Sequence, residues 1–106
     1  MQVDKKTIES HLSQKGFVKE DTHHKYFYHE CDGIQTGAYT YTSHGSKYKT
    51  YGRELLGMMK KQLKLDTTQQ VFDLVTCPMS EDAYNEILKK KGFIKSEDDM
   101  DKKAGR

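Results

Sequence analysis

Residues 22–43 constrain the fold more than any other stretch. Thr22-His23-His24-Lys25-Tyr26-Phe27-Tyr28-His29 is rich in aromatic side chains, and Gln35 to Ser43 carries Thr36, Tyr39, Thr40, Tyr41 and Thr42. Both read as strands, because such side chains suit a pleated surface better than a helix. Cys31-Asp32-Gly33-Ile34 between them reads as a turn, since Asp and Gly accept positive φ. A hairpin is marginal alone in water and needs helices against one face. On the first strand Tyr26 and Tyr28 share a face with His24, while His23, Lys25, Phe27 and His29 share the other. The alternation leaves open which face is covered. A short strand over 17–20 makes three antiparallel strands.

The flanks supply the helices. Asp4 is placed to cap a helix over 5–15, with Val3 and Ile8 as a hydrophobic staple, Ile8 and Leu12 as the buried stripe, and Gly16 as the stop. His44-Gly45-Ser46-Lys47 reads as a loop. Thr50 then caps a second helix over 51–64, whose stripe is Tyr51, Leu55, Met58, Met59 and Leu63. Asp66-Thr-Thr-Gln69 opens a short helix with Val71, Phe72, Leu74 and Val75, ended by Pro78, with Cys77 as part of a buried stop. Ser80 caps a last helix over 81–91, buried through Tyr84, Ile87 and Leu88 and ended by Gly92. Leu12-x-x-Lys-Gly-Phe-Val-Lys recurs as Leu88-x-x-Lys-Gly-Phe-Ile-Lys, which we read as one C-cap chemistry used twice. The expected fold class is α+β: an α-β-β-β-α unit over 1–65, a helical extension over 66–94, and a disordered tail over 95–106, which is charged and poor in apolar residues.

At 106 residues the chain has room for one domain, and with 34% hydrophobic against 32% charged residues its core must be small. No apolar run is long enough to span a membrane, and Lys5, Lys6 and Glu9 interrupt any export signal, so the expectation is a soluble cytoplasmic protein. Cys31 and Cys77, the two cysteines, are then expected to be reduced. Net charge is +2, but residues 1–65 hold eleven Lys/Arg against seven Asp/Glu. Over 44–64, Lys47, Lys49, Arg53, Lys60, Lys61 and Lys64 face one acidic residue, Glu54. That excess suits a polyanion such as RNA, or is simply a solvated helix face.

Several short motifs carry a resemblance. Leu12-Ser-Gln-Lys-Gly-Phe17, Thr22-His23-His24-Lys25-Tyr26, Ser43-His44-Gly45 and a helix ending Lys61-Gln62-Leu63 resemble the HicA-type mRNA interferase toxins over about the first 65 residues. The resemblance implies a fold like the double-stranded-RNA-binding domain, an mRNA substrate and a cognate antitoxin protein as partner. It places the family's catalytic histidine on His23, with Thr22 before it. Asp21 stands where the family usually has glycine, and a carboxylate there repels phosphate. Residues 66–94 have no counterpart in the compact toxins.

The chemistry implied is endoribonuclease. Neutral His23 would take the proton of a ribose 2′-hydroxyl, which DNA lacks, and the alkoxide would attack the adjacent phosphorus. Lys25 or Lys47 would steady the phosphate charge, and His24, His44 or water would protonate the leaving oxygen. Lys47, Lys49, Arg53, Lys60 and Lys61 would carry the RNA backbone. Tyr26, Tyr28, Tyr39 and Tyr41 either stack unpaired bases or pair with one another across the strands. His23, His24, His29 and Cys31 lack a recognised zinc spacing, so neither metal nor other cofactor is expected. The alternatives are a non-catalytic RNA-binding module of the same fold, favoured by Asp21, and an interaction protein working through the 66–94 helices.

Overall fold

Residues 2–43 and 49–94 are described by the computed structural model. In chain order they form β1 (Gln2–Asp4), α1 (Lys5–Gln14), β2 (Phe17–Asp21), β3 (Lys25–Cys31), β4 (Ile34–Thr42), β5 (Thr50–Gly52), α2 (Arg53–Gln62), α3 (Thr68–Val75) and α4 (Glu81–Lys90). The architecture is α+β, with antiparallel sheets packed against helices. One sheet has three strands in the order β2-β3-β4, and β1 pairs with β5 in a separate ribbon. The His44 and Lys47 assignments and the tail over 95–106 lie outside the described residues.

Alternation along the strands now resolves which face is covered. Phe27 and His29 on β3, and Thr36, Ala38, Thr40 and Thr42 on β4, are buried beneath the helices. Tyr26, Tyr28, Tyr39 and Tyr41 point the other way. The core joins Ile8 and Leu12 of α1, Leu56 and Met59 of α2, Val71 and Leu74 of α3, and Tyr84 and Leu88 of α4. Tyr84 ties the extension down: its ring lies 5.8 Å from that of Phe17, and its hydroxyl donates to the Leu63 carbonyl at 2.7 Å. Burial holds this phenol far above its ordinary pKa, so it remains a donor.

Polar groups at the helix seams are matched. His11 Nδ1 donates to the Val75 carbonyl at 2.8 Å, and Lys15 Nζ donates to those of Leu74 and Thr76 at 2.7 and 3.0 Å. A side chain of α1 and that of its C-cap residue thus satisfy carbonyls at the end of α3 and its C-cap, where the helix dipole also favours a cation. Burial lowers the Lys15 pKa, and the neighbouring Cys77 opposes that shift.

Several boundaries differ from the sequence expectation. The run 22–29 is not one strand: Thr22, His23 and His24 form the loop joining β2 to β3, closed by Thr22 N–H donating to the His24 carbonyl at 2.9 Å, beside the Asp21–Lys25 pair. Thr50 does not cap α2. It belongs to β5, where it pairs with Asp4, and Gly52 takes the N-cap position. Starting at 53 rotates the stripe, so Leu56, Met59 and Leu63 are buried while Met58 is 62% exposed. Asp4 occupies the N-cap of α1 without a side-chain cap bond, because it is held as the last residue of β1. The capping box of α3 is Thr67 with Gln70, one residue beyond the Asp66–Gln69 pair. Cys77 is exposed, since the chain leaves the core after Val75. The Gly16, Ser80 and Gly92 punctuation stands as read: Ser80 caps α4 through Ala83 N–H, and both glycines have positive φ.

Gly16 is doubly constrained. Its φ is +89°, and a Cβ there would lie 3.2 Å from the Glu30 carbonyl and 2.5 Å from Glu81 Oε2. The Glu81 side chain can move aside, but the Glu30 backbone is fixed by its own N–H donating to the Gly16 carbonyl at 2.9 Å. Gly16→Ala is expected to cost about 1–3 kcal/mol, read as a lower urea midpoint at unchanged slope.

Candidate nucleic-acid interface

The uncovered face of the three-stranded sheet is built by register. Val18 pairs with Tyr28 and Glu20 with Tyr26 across β2–β3, while Tyr26 pairs with Tyr41 and Tyr28 with Tyr39 across β3–β4. The rings form a continuous ladder. Tyr39 and Tyr28 are 6.1 Å apart, Tyr28 and Tyr26 are 5.9 Å apart and nearly parallel at 14°, and Tyr26 and Tyr41 are 5.5 Å apart. The ladder continues into the 22–24 loop: His24 stacks on Tyr41 at 5.0 Å and 21°, and His23 lies 4.8 Å from His24. The tyrosines thus pair with one another across and along the strands, with Tyr39 exposed and the other three half-buried.

His23 is exposed at the end of this ladder, with Nε2 3.2 Å from the Tyr26 hydroxyl. Lys25 lies on the opposite face, 3.6 Å from Glu9 Oε1, and Glu9 Oε2 also accepts from the Thr42 hydroxyl at 2.6 Å. The sequence therefore sets His23, His24 and Lys25 side by side, but the fold brings only the two histidines to the tyrosine face. Thr22 stays in the loop. Lys49 is exposed near the same end of the sheet, because its carbonyl accepts from Lys5 N–H and Lys5 Nζ donates to the Ser43 carbonyl; Arg53, also exposed, opens α2. Lys60 and Lys61 close α2, in the helix layer behind the sheet.

Among the described residues, the charge on the tyrosine face is acidic rather than basic. Glu20 and Glu30 flank the rings, and Tyr28 has a raised pKa through lost solvation, Glu20 and its two tyrosine neighbours. The face therefore offers aromatic rings, phenol hydroxyls and two carboxylates, and the carboxylates disfavour an anion at its centre. Among the described residues, no group of three or more His, Cys, Asp or Glu is arranged to hold a metal ion, and no helix is long and apolar enough to cross a membrane.

No family model, curated protein or solved structure matches the chain.

Sequence reasoning undervalued the strand β4 opposite His29. Tyr28 pairs with Tyr39 and Glu30 with Gln35, so Thr36, Gly37 and Ala38 stand against the single residue His29. Gly37, at φ +92°, absorbs this bulge. Beneath it, Thr36 Oγ1 lies 2.9 Å from His29 Nδ1 and donates to the His29 carbonyl at 3.4 Å. On the open face the bulge leaves a hollow of about 200 Å³ lined by Tyr28, His29, Gln35, Gly37, Ala38 and Tyr39. The glycine inside a Thr/Tyr strand was the available signal.

Proposed function

We propose that this chain is an RNA-binding module whose tyrosine face takes single-stranded RNA, in a fold of double-stranded-RNA-binding-domain type extended by two helices. The observation that carries the reading is the uninterrupted ladder from Tyr39 to His23 on the sheet face that the helices leave bare. Unpaired bases stack on such rings whatever their sequence, each contributing about 1–3 kcal/mol. The HicA-like motifs in the first 65 residues support RNA as the polymer, and an antitoxin-like protein as a partner. With Glu20 and Glu30 on the face, the backbone would run along its edge toward Lys49 and Arg53. Titrating a labelled single strand and the matching duplex tests this: single-strand binding should be the tighter, and equal or duplex-favoured binding would defeat it.

A second reading, endoribonuclease, is favoured by one feature. His23 is exposed beside the ladder, within reach of a 2′-hydroxyl on a strand laid along it. Product should then form from single-stranded RNA and not from DNA of the same sequence, which lacks the 2′-hydroxyl. His23→Ala should abolish cleavage while leaving RNA affinity and the unfolding midpoint nearly unchanged, since an exposed loop side chain contributes little stability. Product formation by His23→Ala at the wild-type rate would remove the catalytic reading and leave the binding module.

A further inference from the structure

We infer that the hollow over the β4 bulge is a nucleobase pocket, and that Gln35 at its rim gives the RNA surface a base preference. The inference rests on the reading of the tyrosine face as an RNA platform and adds to it a site that distinguishes one base from another. A ladder of rings alone is indifferent to sequence, because every base has a π face. The hollow differs from the rest of the ladder in three respects. It is lined by Tyr28 and Tyr39, whose rings stack on each other and offer a base their edges; Gly37 puts no side chain into it; and Gln35, whose side chain ends in an amide, is part of its lining.

The size fits one unpaired base rather than a longer segment, at about 200 Å³. The bulge creates this space: a regular ladder would put a side chain of β4 directly over the place that Gly37 leaves open. The amide of Gln35 carries both donors and an acceptor, so it can bond a base edge in two places, which neither a phenol nor a carboxylate can do. Glu30, its cross-strand partner, adds an acceptor beside it and disfavours phosphate there. The pocket would thus be entered by the base, with the backbone turned away. Tyr28 keeps its proton, since burial and Glu20 raise its pKa, and it remains a hydrogen-bond donor at the wall.

Labelled octanucleotides of adenine, uracil and cytosine, each titrated at one fixed salt concentration, test the pocket. The wild type should rank the three, with the best and worst separated by about five- to tenfold, within the range of a single base-edge contact. Gln35→Ala should level them, and Tyr39→Leu, which removes a wall, should also level them while lowering all three. Gln35 is exposed, so its replacement should leave the unfolding midpoint unchanged, which separates a lost contact from a lost fold. Tight binding without ranking, or a ranking that survives Gln35→Ala, would overturn the pocket and leave the platform standing. No binding of any single strand by the wild type would overturn both.

Discussion

Folding stability should fall by up to about 3 kcal/mol as pH drops from 6.5 to 4, and His29→Gln should remove that fall. His29 is fully buried, with its ring 4.8 Å from Phe17 and 4.9 Å from Tyr84. Burial lowers its pKa from 6.5 to about 4, and Asn85 beside it offsets only part of that effect. The Thr36 hydroxyl lies 2.9 Å from Nδ1 and 3.4 Å from the His29 carbonyl, so it serves that side of the ring. Among the described residues Nε2 and Asn85 Oδ1 are both buried without a hydrogen-bond partner. A second ring proton would place a full charge between Phe17 and Tyr84, away from water.

The direction follows from proton uptake. Above pH 6.5 neither the folded nor the unfolded chain protonates this ring, and the full stability is present. Between 6.5 and about 4 the unfolded chain binds a proton that the folded one refuses, so acid favours unfolding. Below 4 both forms are protonated and this contribution levels off. Urea midpoints of wild type and His29→Gln, measured at half-unit steps across the window, isolate it from the surface carboxylates shared by both proteins. Parallel curves would show that His29 is solvated or ionised in the native state, contrary to its burial.

RNA affinity should fall about 10- to 100-fold for Tyr26→Leu and again for Tyr41→Leu, with the slope of affinity against salt unchanged. These rings sit at the centre of the ladder, each touching two or more others, so removing either interrupts stacking on both sides. Leucine keeps apolar bulk on the strand, and both positions face away from the core, so the unfolding midpoint should move little. The unchanged salt slope is the discriminating part, because phosphate contacts release counterions and base stacking does not. Reversing Lys60 and Lys61, which lie in the layer behind the sheet, should leave affinity for the same strand nearly intact. If those reversals weaken binding and the tyrosine changes do not, the RNA surface is the helix layer.

Short-range chemistry was legible in the sequence. Gly16, Asp32-Gly33, Ser80 and Gly92 announce their turns and caps through residue types that local geometry requires, and the alternation of 25–42 identified the Tyr and Phe/His faces. What was not legible came from contacts distant in the chain. Thr50 has the chemistry of an N-cap, but pairing with Asp4 makes it part of a strand. Thr22 to His24 have strand-like residues, yet Asp21 pairing with Lys25 leaves them as the loop. Lys25 resembles a phosphate ligand until Glu9, sixteen residues earlier, is seen to occupy it. His29 looked like one histidine among several, because only the tertiary fold decides which histidine is buried.

The β1–β5 ribbon joins residues about fifty apart in sequence, and each of its strands runs directly into a helix, α1 from β1 and α2 from β5. The hairpins β2–β3 and β3–β4 close over a few residues and lose little chain entropy in forming, whereas the ribbon must close a loop spanning the whole sheet. Closing the ribbon therefore costs more chain entropy than closing either hairpin, and it fixes the starts of both helices at once. The same six residues tie the N-terminal ends of α1 and α2 to one another, so a substitution that breaks the ribbon should free both helix starts together.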